Sequence, residues 1–327
     1  MAIRVKTRRL RAELKSGEEV VIPAWVVESG KAGPRLLVTA AQHGNEVQGA
    51  EVIRRFVETT KTKLRCGKVF AVPLVNLPAV RERRPHIRMK PEQAYGDDRG
   101  HNMNRWWPGR PRGNDTARIP HAVYGAFGTE ATHVLDLHCW EKHHAPAVLI
   151  REAPGLRALA GKLGERFVDI RPPSDRTLGG HFCATGRVGV TFEFSGQYTV
   201  EPDQVERGVR LVTNYAKAIG LLPGALQKGY SPVLYSDKCG TVEVTAPCTG
   251  LFAGVGLRPC DPIRKGALLG YLLSDVNLKC REIRAPRTGY LRSYGASRAN
   301  CDVAMPGHHP YVTKDERVAR ITYRKKA

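Results

Sequence analysis

The chain has 327 residues, 42% hydrophobic and 25% charged, an ordinary balance that excludes a largely disordered chain and is long enough for two cores. Lys and Arg outnumber Asp and Glu by 52 to 31, and the net charge of +21 attracts anions, an acidic small molecule among them. No run of about 18 apolar residues is present, so neither a membrane span nor a membrane partner is expected.

Taken in chain order, Glu19 to Glu28 is rich in Val and Ile and reads as a strand. Arg35 to Ala41 is a short apolar run between turn signals, as suits a buried strand of a mixed or parallel sheet. His43-Gly44-Asn45-Glu46 follows it directly. Val47 to Thr59 then places Val47, Ala50, Ile53 and Phe56 at helical spacing. A polar cluster therefore sits where a strand hands over to a helix, the usual place for ligands in open α/β sheets. Lys68 to Val75 predicts a second buried strand. Arg81 to Pro111, rich in Arg, Gly, Pro and Asp, predicts a long loop, and loops of that length in compact domains usually serve function. A helix is expected over Ile119 to Thr129, and a strand over His133 to Leu137 with His138 at its end. Another strand is expected over Ala147 to Ile150, a helix over Leu156 to Phe167, a strand carrying Glu193 over Val188 to Phe194, and a helix over Gln204 to Ile219.

Alternating strands and helices argue for an α/β class with a mixed sheet. Beyond Pro223, Gly224 and Gly229 the pattern turns to short apolar runs with frequent Gly and Pro. Two similar phrases recur there, Ala246-Pro247-Cys248-Thr249-Gly250 and Ala285-Pro286-Arg287-Thr288-Gly289, as in a duplicated hairpin unit. The expected division is a catalytic domain over 1–228 and an all-β sandwich or barrel over 229–327.

The eight cysteines, at 66, 139, 183, 239, 248, 260, 280 and 301, form no CxxC pair, so a cysteine zinc site is not indicated. The opening MAIRVKTRRL lacks the apolar stretch of a signal peptide, and a cytoplasmic protein with mostly reduced thiols is expected. No nucleic-acid module is recognisable, and a homo-oligomer is compatible with the sequence.

His43 and Glu46, three apart on a turn entering a helix, can meet one cation. Zinc accepts imidazole nitrogen and carboxylate oxygen, and a catalytic site keeps one position open. H-x-x-E alone is a weak signal. A third ligand must come from elsewhere. His138 at a strand end is well placed, while His86, His101, His133, His143, His144 and His181 compete with it. Glu193 follows a buried strand in the same manner.

Several phrases in order sharpen this reading. They are Ile22 to Gly49 (IPAWVVESGKAGPRLLVTAAQHGNEVQG), Asn76-Leu77-Pro78, Asn102 to Gly109 (NMNRWWPG), Asp136-Leu137-His138, and Phe192 to Gly196 (FEFSG). Together they resemble the succinylglutamate desuccinylase/aspartoacylase family, grouped with zinc carboxypeptidases of the carboxypeptidase A type. The resemblance covers nearly the whole chain. It implies a carboxypeptidase-like catalytic fold with a biotinyl/lipoyl-like β-domain appended. It implies one zinc ion at His43, Glu46 and His138, and Glu193 as general acid/base. Asn104 and Arg105 match the pair that grips the substrate carboxylate. The family also uses an arginine upstream of that pair to polarise the carbonyl. Arg83, Arg84, Arg88 and Arg99 are the candidates, and Arg88 is favoured for the Pro91-Glu92 that follows it. Asn102 stands where the family usually has Asp, and Trp106 and Trp107 replace a smaller or single aromatic, as core packing or as a wall beside the substrate.

The implied activity is zinc-dependent hydrolysis of an amide in an N-acyl amino acid or related small carboxylate-bearing amide. The alternatives are a metallocarboxypeptidase acting on short peptides, with the same site residues, and a non-catalytic polyanion-binding protein on the same scaffold.

Overall fold

The apolar run Leu36-Leu37-Val38 is fully buried and forms the centre of a mixed sheet in the computed structural model, which describes residues 2–90, 92–94, 98–296 and 309–325. Pro91, Cys301 and Lys326 lie outside these residues. The chain divides into two compact units, one of residues 1–89, 98–139 and 147–233, the other of residues 90–97, 140–146 and 234–327.

The first unit carries strands β1 (Arg4–Glu13), β2 (Glu19–Glu28), β3 (Arg35–Ala40), β4 (Lys68–Val72), β5 (His133–Trp140), β6 (Ala147–Arg151), β7 (Phe167–Arg171) and β8 (Val188–Ser195). Their spatial order is β1-β2-β4-β3-β5-β8-β6-β7. β3 runs parallel to β4 and β5, whereas β6 is antiparallel to β8 and parallel to β7. The helices are α1 (Gln48–Lys63), α2 (Leu77–Glu82), α3 (Asp115–Val123), α4 (Leu156–Gly161), α5 (Leu178–Ala184) and α6 (Pro202–Ala218). α1 buries Val52, Ile53, Phe56 and Val57, and α6 buries Val205, Leu211, Val212 and Tyr215, each an apolar stripe at helical spacing.

Several elements depart from the sequence expectation, among them α2 and α5, which it did not include, and β4, which ends at Val72. β1 is exposed from Arg4 to Arg9 and alternates only at its end, where Leu10 and Ala12 are buried. It pairs only with β2, from Arg4↔Glu28 to Glu13↔Glu19, and its Lys and Arg side chains blunt the open edge. The helix expected over 156–167 stops at Gly161. Gly164, at φ +86°, turns the chain, and Phe167 begins β7. The helix expected from Ile119 starts at Asp115, because the Asn114 side chain accepts a hydrogen bond from the Ala117 N–H and caps it. β5 runs on to Trp140, so His138 lies within the strand instead of at its end.

In the second unit, after β9 (Leu234–Tyr235), come β10 (Cys239–Thr245), β11 (Gly250–Gly254), β12 (Pro262–Ile263), β13 (Leu268–Ser274), β14 (Cys280–Arg284), β15 (Gly289–Tyr294), β16 (Tyr311–Val312) and β17 (Arg317–Arg324). They form two antiparallel sheets, β10-β17-β15-β12 and β14-β13-β11-β16. Phe252, Leu269 and Leu272 of one sheet share an apolar cluster with Leu291, Val318 and Ile321 of the other. The two repeated phrases behave alike. Each buries its alanine, Ala246 or Ala285, and ends on the glycine that opens a strand, Gly250 in β11 and Gly289 in β15.

The seven cysteines among the described residues are all free thiols. No helix of the described residues is long and apolar enough to cross a membrane.

Candidate metal centre

β3 ends at Ala40, and the turn that follows carries His43 and Glu46 into α1. That turn is pinned from two sides. The Gly44 N–H donates to Pro85 O at 3.1 Å, and a Cβ on Gly44 would sit 2.2 Å from the Ala79 carbonyl carbon, so only glycine fits against α2. On the other side, Gln48 in the first turn of α1 is fully buried. Its Nε2 donates to the carbonyls of Ser195 and Gly196, each at 2.6 Å, and its Oε1 accepts from the Glu201 N–H at 3.1 Å. One side chain thus locks the entry of α1 to the end of β8, just beyond Glu193.

β5 lies beside β3 and delivers His138. The ligand atoms of His43, Glu46 and His138 all lie within 4.8 Å of one another, and all three residues are buried. His43 Nδ1 is 2.8 Å from Glu46 Oε1, and His138 Nδ1 is 2.8 Å from Glu46 Oε2. The opposite ring nitrogens are occupied. His138 Nε2 stands 2.9 Å from Asp136 Oδ2, and His43 Nε2 stands 3.1 Å from Asn102 Oδ1. A carboxylate only accepts, so His138 Nε2 must carry a proton and donate. Its Nδ1 then faces a carboxylate oxygen, a contact that a second ring proton or a bound cation can satisfy. The cluster suits a divalent ion on donor chemistry, because two imidazole nitrogens and a carboxylate converge while outer partners fix the ring orientations.

The charges are consistent with that geometry. Burial opposes ionisation of Glu46, yet His43 and His138 hold its carboxyl well below the usual range. The Cys139 N–H, at 3.1 Å from Oε2, and Gln197 Nε2, at 3.3 Å from Oε1, add support. Burial also opposes the charge on His138, but Asp136 and Glu46 raise its pKa well above the ordinary histidine value.

Asp136 is fully buried and accepts from Thr39 Oγ1 and Gln42 Nε2, both at 2.6 Å, as well as from His138. Gln42 Oε1 accepts from the Trp107 indole N–H at 2.8 Å. Only this orientation of the Gln42 amide satisfies both neighbours, since the indole only donates and the carboxylate only accepts. Trp107 is therefore a buried packing residue tied into the site. Trp106 is part-exposed, donates to Gly100 O and lies under the Arg110 guanidinium.

Glu193 lies on β8 and keeps some contact with solvent. Loss of surrounding water pushes its pKa up to about 8. His138 and Arg171 oppose the rise, and Glu46 and Asp136 add to it. Asn104 is brought to the cluster, its Nδ2 3.5 Å from His138 Nε2, whereas Arg105 is exposed and donates to Asn104 O at 2.9 Å.

The loop arginines separate. Arg88 is exposed and paired with the buried Asp115 at 2.6 Å. Arg84 is half-buried, and its carbonyl oxygen would lie 2.4 Å from a Cβ on Gly44, between the two residues that carry His43 and Asn45. Burial holds the Tyr198 phenol above its ordinary pKa; the Arg84 charge lowers it and that of Glu46 raises it. Arg83 and Arg99 are exposed and sit in left-handed turns.

Sequence reasoning named the cluster but not its supports. Asp136 stood in a quoted motif, and its alternation with His138 on one strand was the available signal. Gln42, Gln48 and Gln197 carried none.

Comparison with known proteins agrees with this arrangement. The model of the succinylglutamate desuccinylase/aspartoacylase catalytic domain matches residues 32–219, more than half of the chain. The chain belongs to this family. It is 27% identical over 289 residues to the N-alpha-acetyl-L-2,4-diaminobutyric acid deacetylase of Halomonas elongata, covering 83% of this chain and 80% of that one. Among solved structures, the fold matches a succinylglutamate desuccinylase from a Silicibacter species, with TM-score 0.73, 21% identity and coverage of 99% and 96%. It also matches an aspartoacylase family protein from Mesorhizobium loti, with TM-score 0.72, 22% identity and full coverage of both chains. The ectoine utilization protein EutE (DoeB) of Ruegeria pomeroyi, solved with product bound, matches with TM-score 0.69, 22% identity and coverage of 98% and 95%.

Proposed function

We propose that this chain is a zinc-dependent amidohydrolase that removes the acyl group from an N-acyl amino acid or a related small carboxylate-bearing amide. The convergence of His43, Glu46 and His138, with Asp136 and Asn102 behind the two rings, carries the reading. The named deacetylase and desuccinylase relatives support it. We take residues 1–228 as the catalytic domain, residues 229–327 as a biotinyl/lipoyl-like β-domain, and the cytoplasm as the site of action, which suits free thiols.

His43, Glu46 and His138 would hold the ion, which when bound supplies Lewis-acid chemistry, acidifying water and polarising the amide carbonyl. Glu193 accepts the proton of the attacking water and returns it to the leaving nitrogen, as one carboxyl can do in sequence. Arg84 faces the oxyanion that develops, taking the role the sequence alone favoured for Arg88, whose charge is already matched by Asp115. Arg105 grips the substrate carboxylate in its planar fork, and Asn104 orients it beside His138.

Elemental analysis of wild type and His43→Ala, purified without chelator, tests the metal. About one zinc ion per chain, lost in the variant, is expected. Glu193→Gln should keep the metal and lower kcat by about 10²- to 10⁴-fold. Wild type that takes up no zinc even after reconstitution would sink the assignment.

A further inference from the structure

β1 is the outer strand of the large sheet and runs for ten residues, Arg4 to Glu13, against β2 alone. The hairpin that joins the two strands fixes which backbone groups look outward. The Leu14 N–H donates to Glu18 O at 2.8 Å, so Leu14 faces β2. By alternation Glu13, Arg11, Arg9, Thr7 and Val5 turn their N–H and C=O groups away from β2. Next to the hairpin this edge is covered, since the Glu13 carbonyl accepts from Arg118 Nη1 of α3 at 3.2 Å. From Val5 to Arg11, a span of about 20 Å, it meets no further strand among the described residues.

Sheet edges are ordinarily protected by shortness, a bulge, a proline or a cover. β1 has none of these between Arg4 and Arg9. It is about twice the usual strand length, it pairs one-to-one with β2 without a bulge, and every residue from Arg4 to Arg9 is exposed. Its protection is charge. Arg4, Lys6 and Arg8 project from one face, and Arg9 and Arg11 from the other. Arg4 pairs with Glu28 at 3.6 Å, and Arg11 with Glu19, whose carboxyl also feels the Arg9 charge. Lys6, Arg8 and Arg9 form no ion pair among the described residues, and the β2 residues across from them are Val26, Ala24 and Pro23. Like charges directly opposite destabilise a strand pair, and opposite charges favour it. These cations therefore reject a second copy of the same edge and leave it open to a strand with carboxylates at every second residue.

We propose that β1 is a docking edge for an acidic segment of another protein, which joins the large sheet as an added β-strand. The outward backbone groups of Val5, Thr7, Arg9 and Arg11 supply the hydrogen bonds, and Lys6, Arg8 and Arg9 supply the preference for carboxylates. The net charge of +21 draws such a segment in and repels a second copy of the chain. The edge does not depend on the metal centre, so it stands or falls apart from the deacylase reading.

The probe is a fluorescein-labelled peptide of about eight residues in which glutamate alternates with valine and threonine, long enough to cover the open span. Fluorescence anisotropy compares it with the same peptide N-methylated throughout, with a peptide in which lysine replaces glutamate, and with an oligothymidylate of equal charge. Wild type should bind the glutamate peptide at least about tenfold more tightly than any of the three. Lys6→Glu combined with Arg8→Glu should reverse the order of the glutamate and lysine peptides. Thr7→Pro removes one outward N–H and no bond to β2, and should weaken the glutamate peptide by about three- to tenfold with charge unchanged. Circular dichroism checks the fold of each variant. Lys6 and Arg8 are exposed, so the charge reversal decides the matter if Thr7→Pro fails to fold. Equal binding of the N-methylated peptide or of the oligothymidylate shows attraction by charge alone and overturns the docking edge. So does a glutamate peptide that wild type does not bind, or an order of peptides that the charge reversal leaves unchanged.

Discussion

Asp136→Asn is an isosteric change whose effect can be worked from the hydrogen bonds. The new amide nitrogen cannot take the Oδ2 position, because Gln42 Nε2 and His138 Nε2 both donate there. It must take the Oδ1 position, where the Thr39 hydroxyl can rotate from donor to acceptor. The geometry is therefore kept and only the negative charge is lost. A hydrogen bond to a charged group contributes about 1.5–3 kcal/mol, and a neutral one about 1. The difference, about 0.5–2 kcal/mol, corresponds to roughly two- to thirtyfold in an equilibrium constant. It falls on the basicity of His138 and so on metal affinity, and its upper part overlaps the range of about 10- to 100-fold typical of an outer partner. Competition with a chromogenic zinc chelator measures it, and circular dichroism confirms the fold. Folded Asp136→Asn that binds zinc within about twofold of wild type would refute the claim that this carboxylate tunes the ligand.

Arg84→Gln should lower kcat by about 10²- to 10³-fold with metal content unchanged. Arg88→Gln should leave steady-state kinetics alone and lower stability in urea by about 1 kcal/mol or less, as expected for an exposed partner. Gly44→Ala should shift the His43–Glu46 turn away from α2, costing about 1–3 kcal/mol and reducing zinc stoichiometry together with the thermal midpoint. In the C-terminal unit, burial and the charges of Arg317, Arg292, Arg320 and His143 depress the His144 pKa to about 4. The unfolded chain binds that proton near pH 6.5 and the folded unit does not. Stability is therefore full above pH 6.5 and falls as pH drops towards 4, by about 3 kcal/mol at most. His144→Gln should flatten that slope in denaturation measured across the window.

The His43–Glu46–His138 cluster was legible in the sequence because local rules govern its parts. A buried run ending in His43 must hand over to α1, and a three-residue step puts Glu46 on the same side. The place of Glu193 on its strand was readable for the same reason, since the alternate residues are apolar. The supports were not, because their partners are distant in sequence. Gln42 meets Trp107 across 65 residues, and Gln48 meets Ser195 across 147. The preference proposed for Arg84 over Arg88 rests on the ion pair of Arg88 with Asp115, in a loop whose path periodicity does not describe. β1 escaped because an edge strand need not alternate. Asn102 shows both sides. Its departure from the family's Asp was visible in sequence, but its place behind His43 required the fold.

The chain of contacts from Trp107 through Gln42 and Asp136 to His138 and Glu46 makes the site its own optical gauge. A cation held by His43, Glu46 and His138 would draw on the Asp136 carboxylate, and through the Gln42 amide would change the field at a buried indole. Intrinsic fluorescence of Trp107, isolated by replacing Trp25, Trp106 and Trp140 with phenylalanine, would then follow loading of the centre in real time, without label or substrate.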